Sequence, residues 1–184
     1  VEVDPAARFQ QRRCLIAQPV ATAQVFGARA VIVFLEQRVL REVAAETDDP
    51  VEIFFALGMT DIREACDVML PVWERTAGVD GWVSLEVDPT LAYEREKTFD
   101  QAIRFNKEVG RPNLYVKIPA TEPGLGAIED CIAKGVSINV TLIFSLERYD
   151  QVMEAYIGGL EKRAAAKKPI DRIASVASFF VSRV

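Results

Sequence analysis

Three observations predict an α/β fold with a parallel sheet, a (β/α)8 or TIM barrel. Four segments read as buried strands, helix-period segments separate them, and each strand carries polar residues near the same end. The strands are WVSLEVDP (82–89), LYVKIPA (114–120), SINVTLIF (137–144) and RIASVASFF (172–180). Strand and helix alternating at roughly the ~30 residues of a βαβ unit imply parallel pairing. A doubly wound sheet fits that alternation as well. No G-x-G-x-x-G follows any strand, however, and the GLG at 124–126 lies inside a helix start after Pro123. In a barrel the C-terminal strand ends converge on one mouth, which accounts for the recurring polar residues there.

Residues 1–57 are the least legible. ARAVIVFLEQRVLREVAAE (28–46) reads as a strand running into a helix, with little periodicity behind it. TDIREACDVMLPVWERT (60–76) predicts a helix capped by Thr60 or Asp61, apolar through Ile62, Cys66 and Met69, with a kink at Pro71. On the first strand Glu86 and Asp88 are two apart and so share a face. EKTFDQAIRFNKEVG (96–110) brings Phe99, Ile103, Phe105 and Val109 near one face and stops at Gly110. Lys117 stands near the end of the second strand, before Pro119. GLGAIEDCIAKG (124–135) is a short helix, again closed by glycine. Asn139 and Thr141 share a face of the third strand. SLERYDQVMEAYIGGLEKRAAAKK (145–168) starts at a Ser145 cap, has Glu147 in its first turn and ends in lysines, as the helix dipole favours. The fourth strand ends with Ser178, and Arg183 follows shortly after.

Composition narrows the chemistry. A chain of 184 residues suffices for one domain with a real core. Its net charge of −5 gives no electrostatic case for nucleic acid or an anionic membrane. No apolar run approaches the ~20 residues of a membrane span, and no signal peptide opens the sequence. Cys14, Cys66 and Cys131 are far apart and read as reduced core thiols of a cytoplasmic protein. Histidine is absent, which excludes Ser-His-Asp and Cys-His nucleophile systems and the common zinc sites. Proton chemistry then falls to carboxylates, lysines, tyrosines or water. The sequence opens at Val1 without an initiator methionine and closes at Val184 just after strand-like residues, so both ends are expected to be cut.

Lys117 is the residue that needs explaining. A lysine inside an apolar strand is ordinarily an edge device or a stem that snorkels to water. Four successive strands with polar groups at one end are harder to explain that way. A lysine at a barrel mouth, beside carboxylates and hydroxyls, fits a Schiff-base nucleophile. Free lysine has a pKa of about 10.4, so it needs desolvation to act as an amine at neutral pH, and an apolar strand is expected to supply that. The imine is an electron sink for breaking a neighbouring C–C bond. Glu86 could move protons directly or through a water held by Thr141. Ser178 and Arg183 could bind a phosphate. Hydrogen bonding within the barrel is an equally fair role for Asn139 and Thr141.

VSLEVDP, YVKIPATEPG, SINVTLIFSLERY and SVASFFVSRV together resemble the transaldolase family in its bacterial long form, from about Thr60 to Val184. The resemblance implies a division into a poorly matched segment, 1–57, and the central part of a transaldolase-type barrel, 58–184. It further implies that Lys117 is the Schiff-base lysine, Glu86 the carboxylate that works with a bound water, and Thr141 the threonine that orients this water. Asn139 falls where the family holds sugar hydroxyls, and Ser178 and Arg183 fall in its phosphate-binding stretch. The implied reaction transfers a dihydroxyacetone unit between sugar phosphates of the fructose 6-phosphate, erythrose 4-phosphate and sedoheptulose 7-phosphate class. It belongs to the pentose phosphate pathway and carbohydrate metabolism, needs no metal or organic cofactor, and is compatible with a homo-oligomer. Two family features have no match in residues 1–57: an aspartate on the first strand and a Thr-Thr-Asn-Pro-Ser stretch on the next. Two alternatives therefore stay open. One is a catalytically weak or inactive fragment that acts only in assembly, the other a different lysine aldolase.

Overall fold

The computed structural model describes residues 40–183. After a helical turn at 40–44, the chain runs α1 (Pro50–Arg75), β1 (Val83–Glu86), a 3-10 turn (Pro89–Leu91), α2 (Arg95–Val109) and β2 (Leu114–Pro119). It continues through α3 (Glu122–Lys134), β3 (Ile138–Ile143), α4 (Leu146–Ala165) and β4 (Ser175–Phe179) to a closing 3-10 turn (Val181–Arg183). All strand pairs are parallel, in the spatial order β1-β2-β3-β4. A doubly wound sheet would reverse its strand order part-way. Here the order follows the chain, and right-handed crossovers then put every connecting helix on one face. The sheet is a section of barrel wall.

The two faces differ as that architecture requires. Toward the helices β2 presents Leu114, Val116 and Ile118, and β3 presents Ile138, Val140 and Ile143, all nearly inaccessible. They form one core with Phe55, Met59 and Cys66 of α1, Ala102, Phe105 and Val109 of α2, Ile128, Cys131 and Ile132 of α3, and Val152 and Ala155 of α4. Burying each large side chain contributes about 1.5–3 kcal/mol relative to exposure. The opposite face carries Ser84, Glu86, Lys117, Asn139 and Ser178, the polar set on which the site is built.

The buried stripe of α2 is Thr98, Ala102, Phe105 and Val109, while Phe99 and Ile103 are only partly buried. Thr98 tolerates burial because its hydroxyl donates to Leu91 O at 2.8 Å. Gly110 and Gly135 close α2 and α3 in the left-handed conformation, φ 60° and 96°, as their glycine identity predicts. Ser145 caps α4 by accepting from the Arg148 N–H.

Several boundaries differ from the sequence reading. α1 starts at Pro50, ten residues early, because Asp49 accepts from the Val51 N–H and Pro50 suits the first helical position. Thr60 is therefore no cap; it lies inside α1 and donates to Ala56 O. The helix runs through Pro71. β1 ends at Glu86, so Asp88 does not share a strand face with it; Asp88 instead caps the following turn, accepting from both the N–H and the hydroxyl of Thr90. α4 ends at Ala165, short of Lys167 and Lys168. Of the stretch 28–46, residues 28–39 lie outside the described residues, as does Cys14.

β3 contains one irregularity that alternation does not predict. Val140 registers with Ala177 but Ile143 with Phe179, so β3 spends one more residue than β4 over this span. The extra residue falls beside Leu142, whose φ of 60° is left-handed. A bulge there holds Thr141 on the same face as Asn139 while returning Ile143 to the helix side.

Candidate active site

The site is assembled by strand register. Glu86 is opposite Lys117, and Lys117 is opposite Asn139. Three chemically distinct side chains from three adjacent strands therefore stand in one row, without help from any loop. Lys117 Nζ donates to Glu86 Oε2 at 2.8 Å. The lysine side chain keeps 27% of its surface exposed and the glutamate 47%. The apolar flanks of β2 leave the Lys117 side chain partly open on this face. The side chain leaves the strand on the face opposite the core, and what it meets there is the Glu86 carboxylate.

Asn139 joins the row to its neighbours. Its Nδ2 donates to Ser84 Oγ at 3.1 Å, and its Oδ1 accepts from Ser178 Oγ at 2.9 Å. Ser178 carries a single hydroxyl proton and spends it on Asn139, so in this arrangement it offers no donor to an anion. Thr141 lies one step along the same face of β3 and is 1% exposed. Its Oγ1 has no hydrogen-bond partner among the described residues, so it does not bond directly to Lys117 or Glu86. Arg183 ends the 3-10 turn that follows β4, on the C-terminal side of the sheet.

Sequence reasoning missed two contributors. Ser84 is the first; the available signal was its position two residues before Glu86 on the same strand. The second is an aromatic layer beneath the row, where Tyr115 stacks on Trp82 at 4.1 Å and Trp82 meets Trp73 edge-on. Tyr115 is two residues before Lys117, and burial pushes its phenol up to about 12, with Tyr156 adding to the shift. It is a neutral floor for the site and no acid or base at neutral pH.

Sequence comparison decides the lineage. The model of the transaldolase/fructose-6-phosphate aldolase family matches residues 34–184. The chain belongs to this family. The transaldolase of Mycobacterium tuberculosis is 54% identical over 145 residues, covering 79% of this chain and 39% of that protein. A Parafrankia transaldolase is 53% identical over 145 residues, and transaldolase 2 of Nostoc punctiforme 53% over 133. The chain spans about two fifths of the length of the curated relatives it matches. Family membership makes the four-stranded sheet a section of a (β/α)8 barrel. Among the described residues, no helix is long and apolar enough to cross a membrane.

Proposed function

We propose that this chain carries the Schiff-base half of a transaldolase site and that Lys117 is its nucleophile. The supporting observation is the 2.8 Å contact between Lys117 Nζ and Glu86 Oε2 in a row of register-matched polar side chains. The Lys117 amine, its proton passed to Glu86, adds to the ketone carbon of a ketose phosphate. Loss of water from the carbinolamine gives the imine. Glu86, which gave up its proton with that water, then takes the β-hydroxyl proton through the bound water as the bond between the α and β carbons of the imine breaks; the electron pair stays on the dihydroxyacetone unit as an enamine and an aldose phosphate is released. The enamine then attacks the aldehyde of an acceptor, and hydrolysis frees Lys117 with the new ketose. Thr141, whose hydroxyl is uncommitted among the described residues, orients the water that Glu86 protonates and deprotonates. Asn139 holds sugar hydroxyls and Arg183 meets the phosphate, while Ser178, in the same stretch, keeps its hydroxyl proton on Asn139. Fructose 6-phosphate, erythrose 4-phosphate and sedoheptulose 7-phosphate are the substrate class, in the cytoplasmic pentose phosphate pathway.

The test is trapping. Fructose 6-phosphate and borohydride should leave a reduced adduct on Lys117, located by peptide mass spectrometry and lost in Lys117→Met. An adduct on Lys97, Lys107 or Lys134 instead would refute the assignment.

A second reading, a fragment that is a weak catalyst until assembled, is favoured by the sheet itself. Among the described residues β1 and β4 each pair on one side only, and Val176 on the inner face is 43% exposed. Eight strands are needed to close such a barrel. Full transaldolase activity from a monodisperse 184-residue protein would exclude this reading.

A further inference from the structure

Ser84 has no role in the reaction outlined above, yet its hydroxyl lies under the Lys117 row. Ser84 registers with Tyr115, and Asn139 with Lys117. The Ser84–Asn139 hydrogen bond therefore passes across β2 between those two side chains, joining residues 55 apart in the sequence. The far end of the same amide is held by Ser178. A side-chain amide has two N–H donors and two acceptor lone pairs. Ser84 takes one donor and Ser178 fills one lone pair. One N–H of Asn139 is left, its direction fixed because both ends of the amide are tied.

We propose that Ser84 is a positioning residue: with Ser178 it clamps the Asn139 amide so that the remaining N–H is offered to a sugar hydroxyl beside the Lys117 amine. Ser84 touches no substrate in this role and acts only through Asn139. The terminal torsion of a free asparagine side chain is broad, so a single anchor would leave the amide to turn about it. The inference rests on the transaldolase reading of Lys117.

The experiment is a titration of fructose 6-phosphate in the borohydride reaction, reading the concentration that gives half-maximal labelling of Lys117. Ser84→Ala should raise that concentration about three- to tenfold, as expected for loss of a neutral hydrogen bond. Ser84→Thr, which keeps the hydroxyl, should restore it. Ser84→Cys, a weaker acceptor of similar size, should show the same shift as alanine and serves as the second variant if alanine impairs folding. A merely structural serine would lower the melting temperature and reduce labelling equally at every concentration. An unchanged half-saturating concentration in both Ser84→Ala and Ser84→Cys, or an equal shift in Ser84→Thr, would overturn the proposal. Absence of any ketose-dependent label in the wild-type chain would overturn the transaldolase reading beneath it.

Discussion

Two consecutive glycines of α4 should respond oppositely to the same substitution. Gly159 is buried against α3: a Cβ there would stand 2.6 Å from Ile132 Cβ and 2.7 Å from the Glu129 carbonyl oxygen. Neither neighbour can yield without moving the α3 backbone. Alanine gains about 0.8–1.0 kcal/mol of helix propensity over glycine, whereas overpacking a tight contact costs about 1–3 kcal/mol. With a contact this tight the cost lies toward the upper end of its range, and Gly159→Ala should destabilise by up to about 2 kcal/mol. At Gly158 the nearest atom is Glu129 Oε1, at 3.0 Å, the far end of a flexible side chain. That carboxylate also meets Lys162 at 3.0 Å in an exposed ion pair, worth about 0–1 kcal/mol at most. Gly158→Ala should therefore be neutral or stabilising by up to about 1 kcal/mol. For a chain of this size each kcal/mol moves the melting temperature by about 2–4 °C. Thermal unfolding followed by far-UV circular dichroism should show Gly159→Ala melting lower than wild type and Gly158→Ala no lower. A Gly159→Ala variant as stable as wild type would mean that α3 and α4 are not in close contact. The outer support of β2 and β3, hence of Lys117 and Asn139, would then need revision.

Three further outcomes are expected. Glu86→Gln keeps the shape but removes the proton acceptor beside Lys117, so imine trapping should slow by about 10²–10⁴ while the adduct stays on Lys117; an unchanged rate would remove Glu86 from the proposal. Burial, reinforced by the neighbouring Asp130 charge, pushes the Cys131 thiol up to about 12, and Cys66 is pushed to about 11 by burial and Asp67. Iodoacetamide at mildly alkaline pH should label both far more slowly than in urea, and equal rates would contradict their place in the core. The Arg104 guanidinium lowers the Glu52 carboxyl below its ordinary 4.5, so the stability this pair contributes is present above that pH and lost as pH falls through the folded-state value. The stability difference between wild type and Arg104→Gln should accordingly shrink on acidification, and a difference independent of pH would refute the linkage.

The polar row was legible because it depends on two short-range rules, alternation along a strand and convergence of strand ends. Glu86, Lys117 and Asn139 needed nothing more. Ser84 escaped because a serine in a half-buried strand is equally at home in water, and only its long-range bond to Asn139 gives it a task. The early start of α1 escaped for a different reason. Residues 50–59 contain the run IFFALGM, apolar on all sides, which supplies no 3.6-residue stripe and includes a glycine. Asp88 was misjudged because a carboxylate two residues past Glu86 looks like a strand partner until Pro89 turns the chain.

The bulge in β3 lets a strand with one residue more than strict alternation allows keep both of its faces. Asn139 and Thr141 face inward and Ile143 outward, and Leu142 is the residue that absorbs the difference. Removing Leu142 would restore strict alternation with Thr141 still inward and Ile143 still outward. Removing Val140 would put Asn139 and Thr141 on opposite faces and drive one of them into the helix layer. Point changes at Leu142 are tolerable, and glycine or asparagine would adopt its left-handed backbone more readily. Relatives of this chain should therefore tolerate a gap at the bulge or along the 166–174 connection and hold the spacing from Asn139 to Thr141 constant, so that a gap at Val140 marks a sequence whose inward face is broken.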